Sequence, residues 1–104
     1  TYVEDVANII YAISKKIPRK PTFYRILNIA SSRPIKLKRF LSLIEKNTNK
    51  KFKIKLLPLQ VGDVKKTHAS NYELLKLIKY KNFTTIEKGV KNFVQWYKSY
   101  YKIK

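Results

Sequence analysis

The sequence predicts an α/β fold in which helices alternate with a few short strands. Stretches with apolar residues at helical spacing are separated by short apolar runs typical of strands, and turn-forming residues divide the two kinds of segment. The resulting order is helix, strand, helix, strand, loop, helix, helix. Strands that alternate with helices are typical of α/β proteins.

Four segments have helical patterns. The first runs from Val3 to Lys16, and its apolar stripe ends before Pro18: Val6, Ile9, Ile10, Ile13 and Ile17. The second covers residues 36–47, with Leu37, Phe40, Leu41 and Ile44 on one face. Ser70 with Glu73, and Thr84 with Glu87, form S/T-x-x-E capping boxes, which predict the starts of the third and fourth helices.

Two segments have strand patterns. Phe23 to Ser31, "FYRILNIAS", is short and apolar, and we expect its second half to be buried on both faces. Residues 51–57, "KFKIKLL", alternate lysine with apolar residues, which is typical of a strand with one face in water. A loop from Pro58 to Ala69 follows.

Length and composition restrict the function classes. At 104 residues and 44% hydrophobic content, the chain is one domain or part of one. It has no apolar run long enough to span a bilayer, and Glu4 and Asp5 stand where a signal peptide needs basic residues, so we expect a cytoplasmic protein without a membrane partner. The absence of cysteine and the single histidine exclude disulfides, zinc-thiolate sites and histidine-rich metal sites.

The net charge of +18 would attract polyanions, but the lysines are spread over every segment and form no block. A solvated lysine-rich surface is therefore favoured over a dedicated nucleic-acid site. The aromatic run Asn92 to Tyr101 could stack on bases, yet its spacing favours packing, with Phe93 and Tyr97 facing the core. A basic nucleic-acid-binding module stays open as the alternative function.

Few residues are candidates for chemistry. Asp63 is the one carboxylate without an evident structural role, and His68 has no orienting acid or nucleophile near it in sequence. Three Tyr-x-x-x-Lys pairs, Tyr11/Lys15, Tyr72/Lys76 and Tyr100/Lys104, match chance expectation in so lysine-rich a chain. Two distant glycines cannot form a dinucleotide loop, so we predict no catalytic, cofactor-binding or metal-binding residue here.

Four segments, in this order and spacing, carry a family resemblance: "TYVEDVA", "YRILNIASSRPIKL", "LPLQVGDVKKTHA" and "TTIEKGVKNFVQWYKSYY". Together they resemble the C-terminal part of extended short-chain dehydrogenase/reductases. The closest branch is the NAD-dependent nucleotide-sugar epimerases and dehydratases, in particular the UDP-glucuronate 4-epimerases and their UDP-N-acetylglucosamine relatives. The most specific pieces are "LPLQVGDV" and the final aromatic segment.

The resemblance implies that residues 1–104 are a single C-terminal, substrate-binding fragment, whose parent carries its NAD-binding Rossmann portion and catalytic residues upstream of Thr1. The lack of methionine and the start at Thr1 fit this expectation. The resemblance makes Phe23 to Ser31 an edge strand of the parent's Rossmann sheet and the remainder a small substrate-binding lobe. It also implies a parent homodimer formed through upstream helices. We expect the fragment to self-associate through exposed apolar surface.

The resemblance assigns the substrate-binding residues Gln60 and Asp63. In the epimerases the loop matching Pro58 to Val64 lies over the nucleotide diphosphate, and the residue matching Asp63 accepts hydrogen bonds from the ribose hydroxyls. Gln60 stands where many relatives carry an arginine against the phosphates. The implied function is binding of a UDP-sugar for epimerisation at C4 with NAD; dehydratase or decarboxylase chemistry in the same family stays open.

Overall fold

The described residues contain four helices and no strand. The computed structural model describes residues 1–16, 24–64 and 67–103. Its helices are α1 (Val3–Ser14), α2 (Leu37–Thr48), α3 (Tyr72–Leu77) and α4 (Ile86–Tyr100). The four predicted helices are confirmed in number and order. Ile17 and Pro18, which were predicted to end the first helix, lie outside the described residues.

The prediction of an α/β fold with a Rossmann edge strand is wrong for the described residues. Residues 24–31 and 51–57 form no ladder, and Phe23 lies outside the description. The physical reason is that a strand requires a paired neighbour, and no described segment pairs with either of these. The backbone of residues 30 and 31 is bonded to side chains instead: Asn71 Nδ2 donates to the Ala30 carbonyl at 2.9 Å, and the Ser31 amide donates to Thr1 Oγ1 at 3.2 Å.

The chain divides into two compact units. The first comprises Thr1–Arg33 with His68–Thr84, and the second comprises Pro34–Thr67 with Thr85–Lys104. Each unit therefore pairs an earlier stretch of the chain with a later one.

The core of the first unit is formed by α1 and α3. Ile9 and Leu74 have no exposed surface and pack with Ile78. Leu27 and Ile29 pack against this core, whereas Tyr24 and Ile26 are 80% and 83% exposed. Residues 26–29 thus alternate between open and partly covered side chains although they belong to no sheet.

The core of the second unit lies between α2 and α4. Leu43 packs with Val90 and Val94, and Ile44 and Ile86 border the cluster. Arg39 on α2 donates to Glu87 on α4 at 3.0 Å, an exposed ion pair that contributes little to stability. Asn49 ends α2 with a left-handed φ of 54°, the conformation common after a helix C-terminus.

Both predicted capping boxes differ from the observed caps by one residue. Asn71 is the N-cap of α3, and Ser70 Oγ accepts from the Tyr72 amide at 3.3 Å. Thr85 is the N-cap of α4, and its hydroxyl accepts from the Lys88 amide at 3.3 Å. The preceding residue, Thr84, donates hydrogen bonds to Asp5 instead.

Candidate functional site

The predicted substrate-binding residues lie at the two ends of one turn. The Asp63 amide donates to the Gln60 carbonyl at 3.1 Å, which closes a four-residue turn. Gly62 occupies the third position with a φ of +94°, as in a type II turn, and that backbone favours glycine strongly. A Cβ at Gly62 would meet nothing within 4 Å, so the backbone conformation, and not crowding, requires the glycine.

The turn brings Gln60 and Asp63 together on an open surface. Both side chains are exposed, and no described residue forms a hydrogen bond or ion pair with the Asp63 carboxylate. The carboxylate can therefore accept hydrogen bonds from an incoming diol, and the Gln60 amide can donate to an oxyanion.

The apolar residues around the turn are also uncovered. Leu56, Leu57, Leu59 and Val64 are all more than half exposed, and Val61 at the turn itself is fully exposed. Such a run of open apolar side chains indicates a surface that a further part of a protein or a ligand covers.

One carboxylate in the first turn of α1, that of Asp5, is buried. Asp5 is 4% exposed and is the buried charged residue of the described chain. Its Oδ1 accepts from the Tyr80 hydroxyl at 2.8 Å and from the Thr84 hydroxyl at 3.0 Å, and its Oδ2 accepts from the Thr84 amide at 2.8 Å. The signal for this cluster was the position of Asp5 four residues before Ile9, on the buried face of α1.

The electrostatics of this cluster indicate a structural role. Burial would raise the pKa of Asp5, but the hydrogen bonds from the Thr84 amide, Tyr80 and Thr84 outweigh it and lower that pKa. Burial and the neighbouring Asp5 carboxylate raise the pKa of Tyr80. A carboxylate that stays ionised and already accepts three hydrogen bonds is a poor general base.

The other sequence candidates have surface positions. His68 is exposed. Lys15 Nζ lies 4.0 Å from the centre of the Tyr11 ring, and Lys76 Nζ lies 4.0 Å from that of Tyr72, so two of the Tyr-x-x-x-Lys pairs form cation–π contacts along a helix. Lys104 of the third pair lies outside the described residues.

The aromatic segment of α4 is more open than predicted. Phe93 is 55% exposed and Tyr97 is 42% exposed, so their assignment to the core is wrong; the smaller Val90 and Val94 fill it instead. The rings contact each other along the helix, with Trp96 and Tyr100 stacked at 5.5 Å between centres. This places an aromatic surface on the side of α4 next to its buried face.

No group of metal-ligating side chains occurs within the described ranges. The same residues include no helix that is long and apolar enough to cross a membrane. An open depression lies at the end of α2, lined by Ser42, Glu45, Lys46, Asn49, Lys50 and Lys51, and it includes neither Gln60 nor Asp63.

Comparison with known proteins finds relatives over nearly the whole chain. A probable UDP-glucuronate 4-epimerase of Rhizobium meliloti is 30% identical over 98% of this chain, and the Protein CapI of Staphylococcus aureus is 34% identical over 98%. The chain is thus similar to proteins named UDP-glucuronate 4-epimerase. An uncharacterized protein of Methanocaldococcus jannaschii, MJ1055, is 45% identical over 93% of the chain.

The match covers only part of the length of each of these three relatives. The chain spans 28% of the length of MJ1055, 35% of CapI and 34% of the Rhizobium protein. No protein-family model matches the chain.

Proposed function

We propose that this chain is the UDP-sugar-binding, C-terminal portion of an NAD-dependent nucleotide-sugar 4-epimerase of the extended short-chain dehydrogenase type. Its substrate would be of the UDP-glucuronate or UDP-N-acetylglucosamine class, and the chain would have no activity alone. The supporting observation is that relatives named UDP-glucuronate 4-epimerase align with three quarters or more of it. Because its ligands are water-soluble metabolites, the proposal includes a cytoplasmic location.

In this proposal Asp63 and Gln60 hold the nucleotide. The Asp63 carboxylate accepts hydrogen bonds from the two ribose hydroxyls, for which an acceptor-only group is suited. The Gln60 amide donates to a phosphate oxygen without adding charge. The type II turn supports both roles because it fixes the two residues side by side while leaving their side chains free.

The residues of this chain do not fit NAD. Its two glycines are Gly62 in the exposed turn and Gly89 buried within α4, so neither opens a helix as a pyrophosphate-binding loop does. The proposal therefore assigns NAD and the catalytic groups to the rest of a longer protein, together with the homodimer contact, and assigns no chemical step to this chain.

A ligand pair tests the role of Asp63. In a full-length protein that carries these 104 residues, we expect UDP to bind more tightly than 2′-deoxy-UDP. The Asp63→Ala variant should lose about fivefold or more in UDP affinity, because a hydrogen bond to a charged acceptor is lost. Calorimetric titration would measure the four affinities, and the preference for UDP over 2′-deoxy-UDP should disappear in the variant.

The matched control is Glu4→Gln, which also removes one exposed negative charge. It should leave both affinities unchanged. If Asp63→Ala binds UDP within about twofold of the unmodified protein, or keeps its preference for the ribose hydroxyl, Asp63 is not the ribose ligand.

A further inference from the structure

The backbone of residues 60–63 defines the type of turn that they form. The Asp63 amide donates to the Gln60 carbonyl at 3.1 Å, and Gly62 has a φ of +94°. Turns of types I′ and II′ need a positive φ at the second position, and Val61 is not among the residues with one. Type II combines a negative φ at the second position with a positive φ at the third, so this turn is of type II.

The backbone conformation explains the glycine at the third position of the turn. A glycine is needed either where a side chain would collide or where φ is positive. The described residues leave the space beside Gly62 open, since an added Cβ would meet nothing within 4 Å. A residue with a side chain is strained at this φ even in open space. Within the described chain, Gly62 therefore serves the closure of the turn.

Closure of the turn sets the spacing between Gln60 and Asp63. The first and fourth Cα atoms of a β-turn lie within about 7 Å of each other. From residue 53 to residue 64, the bond from the Asp63 amide to the Gln60 carbonyl is the only hydrogen bond of the described chain. Within this chain, the spacing of the two side chains therefore depends on the turn and, through it, on Gly62.

We propose that Gly62 is a positioning residue for nucleotide binding. It touches no ligand itself; its positive φ closes the turn that holds the Asp63 carboxylate beside the Gln60 amide. Ribose and diphosphate are neighbouring groups of one nucleotide, so a closed turn lets both side chains bind the same molecule. This inference rests on the proposed function, and it predicts that the affinity for the nucleotide follows the fraction of closed turn.

Close approach of the ligand to the backbone is the competing explanation for this glycine. In that case any side chain at position 62 would collide with the ligand, and a larger side chain would be worse. The two explanations rank asparagine and alanine in opposite orders. Asparagine is larger than alanine, but it tolerates a positive φ better and is the usual substitute for glycine in a type II turn.

A substitution series at position 62 tests the proposal in a full-length protein that carries these 104 residues. Calorimetric titration with UDP, with NAD present, should show an affinity about fivefold or more lower for Gly62→Ala, because the closed turn is less populated. Gly62→Asn should retain most of the affinity, and Gly62→Val should lose at least as much as Gly62→Ala. The binding stoichiometry should stay unchanged in each variant, whereas misfolding would lower the stoichiometry.

A second ligand separates positioning from direct contact. Gly62→Ala should lower the affinities for UDP and 2′-deoxy-UDP by the same factor and keep the preference for UDP, because both ligands need the closed turn. Asp63→Ala should remove that preference. The matched control is Val61→Ala, which places alanine one position earlier, where φ is not positive, and should leave both affinities within about twofold.

Three results would overturn the positioning role. They are weaker UDP binding by Gly62→Asn than by Gly62→Ala, UDP binding by Gly62→Ala within about twofold of the unmodified protein, and an equal loss in Val61→Ala. If Asp63→Ala still removes the preference for UDP in the same titrations, only the role of Gly62 fails. If Asp63→Ala also leaves UDP binding and that preference unchanged, the proposed role of Asp63 fails with it.

Discussion

At the scale of the residue, the most informative feature of the described chain is the buried carboxylate of Asp5. A buried carboxylate costs free energy unless donors satisfy it, and here a tyrosine and a threonine from 75 and 79 residues later in the chain supply three hydrogen bonds. The cluster thus ties the start of the first unit to its end.

Removing the charge of Asp5 should destabilise the first unit. We expect Asp5→Asn to lower the free energy of unfolding by about 1–3 kcal/mol, because its amide nitrogen cannot accept the bonds that a carboxylate oxygen accepts. Urea unfolding followed by circular dichroism measures this. Glu4→Gln on the same turn of α1 is exposed and should cost far less; equal losses in the two variants would contradict the assignment.

The lowered pKa of Asp5 predicts that the folded chain loses stability in acid. Because the pKa of Asp5 is lower in the folded chain, its contribution is present above its unfolded pKa and is lost as pH falls through the folded value. Stability should therefore decline below about pH 4, where an unfolded aspartate takes up its proton. Asp5→Asn should flatten this part of the profile, and an unchanged profile would count against the cluster.

At the scale of the element, the helices could be predicted from sequence, and the strands could not. A helix needs only the local spacing and one packing partner, although on α2 the buried residue is Leu43 and not the predicted Leu37 or Phe40, which are 70% and 39% exposed. A strand needs a neighbouring strand as well as a suitable pattern. Strands were therefore predicted for the apolar residues 24–31 and the alternating residues 51–57, but the described chain forms neither.

A contact between residues distant in sequence also explains why the start of α4 was predicted one residue early. Two threonines stand together, and the capping pattern selects Thr84 because Glu87 lies three residues later. In the structure Thr85 caps the helix, and Thr84 binds Asp5, a partner too distant in sequence for a local pattern to reveal. The turn at Gln60–Asp63 was predictable because Gly62 and Asp63 are local signals.

The two threonines should respond differently to substitution. Thr85→Ala should cost about 1 kcal/mol, the usual cost of losing a helix cap, whether or not Asp5 is present. Thr84→Ala should cost less in an Asp5→Asn background than alone, because the two residues share a hydrogen bond. Unfolding free energies of the three single and two double variants form the two cycles, and additivity for Thr84 with Asp5 would contradict the observed contact.

At the scale of the whole molecule, the charge of +18 and the uncovered apolar surface are the dominant properties. The proposed function accounts for the second property, because the rest of a longer protein would cover this surface. The substrate-binding role of Gln60 and Asp63 came from the resemblance and stays a prediction.

The charge predicts a general affinity for polyanions that salt removes. A short DNA duplex should bind the chain at low ionic strength and release it near 150 mM salt, because spread lysines release counterions without specific contacts. Fluorescence anisotropy across a salt series measures this. Submicromolar binding that persists at physiological salt would favour the nucleic-acid-binding module instead.

The most direct measurement is a titration of UDP into this 104-residue chain and into a full-length protein that carries it, the latter with NAD present. Our account predicts binding by the full-length protein and little or none by the chain alone, since Gln60 and Asp63 are exposed and the proposal places the other ligand-binding groups outside this chain. If neither protein bound UDP, the proposed role in nucleotide-sugar binding would be contradicted.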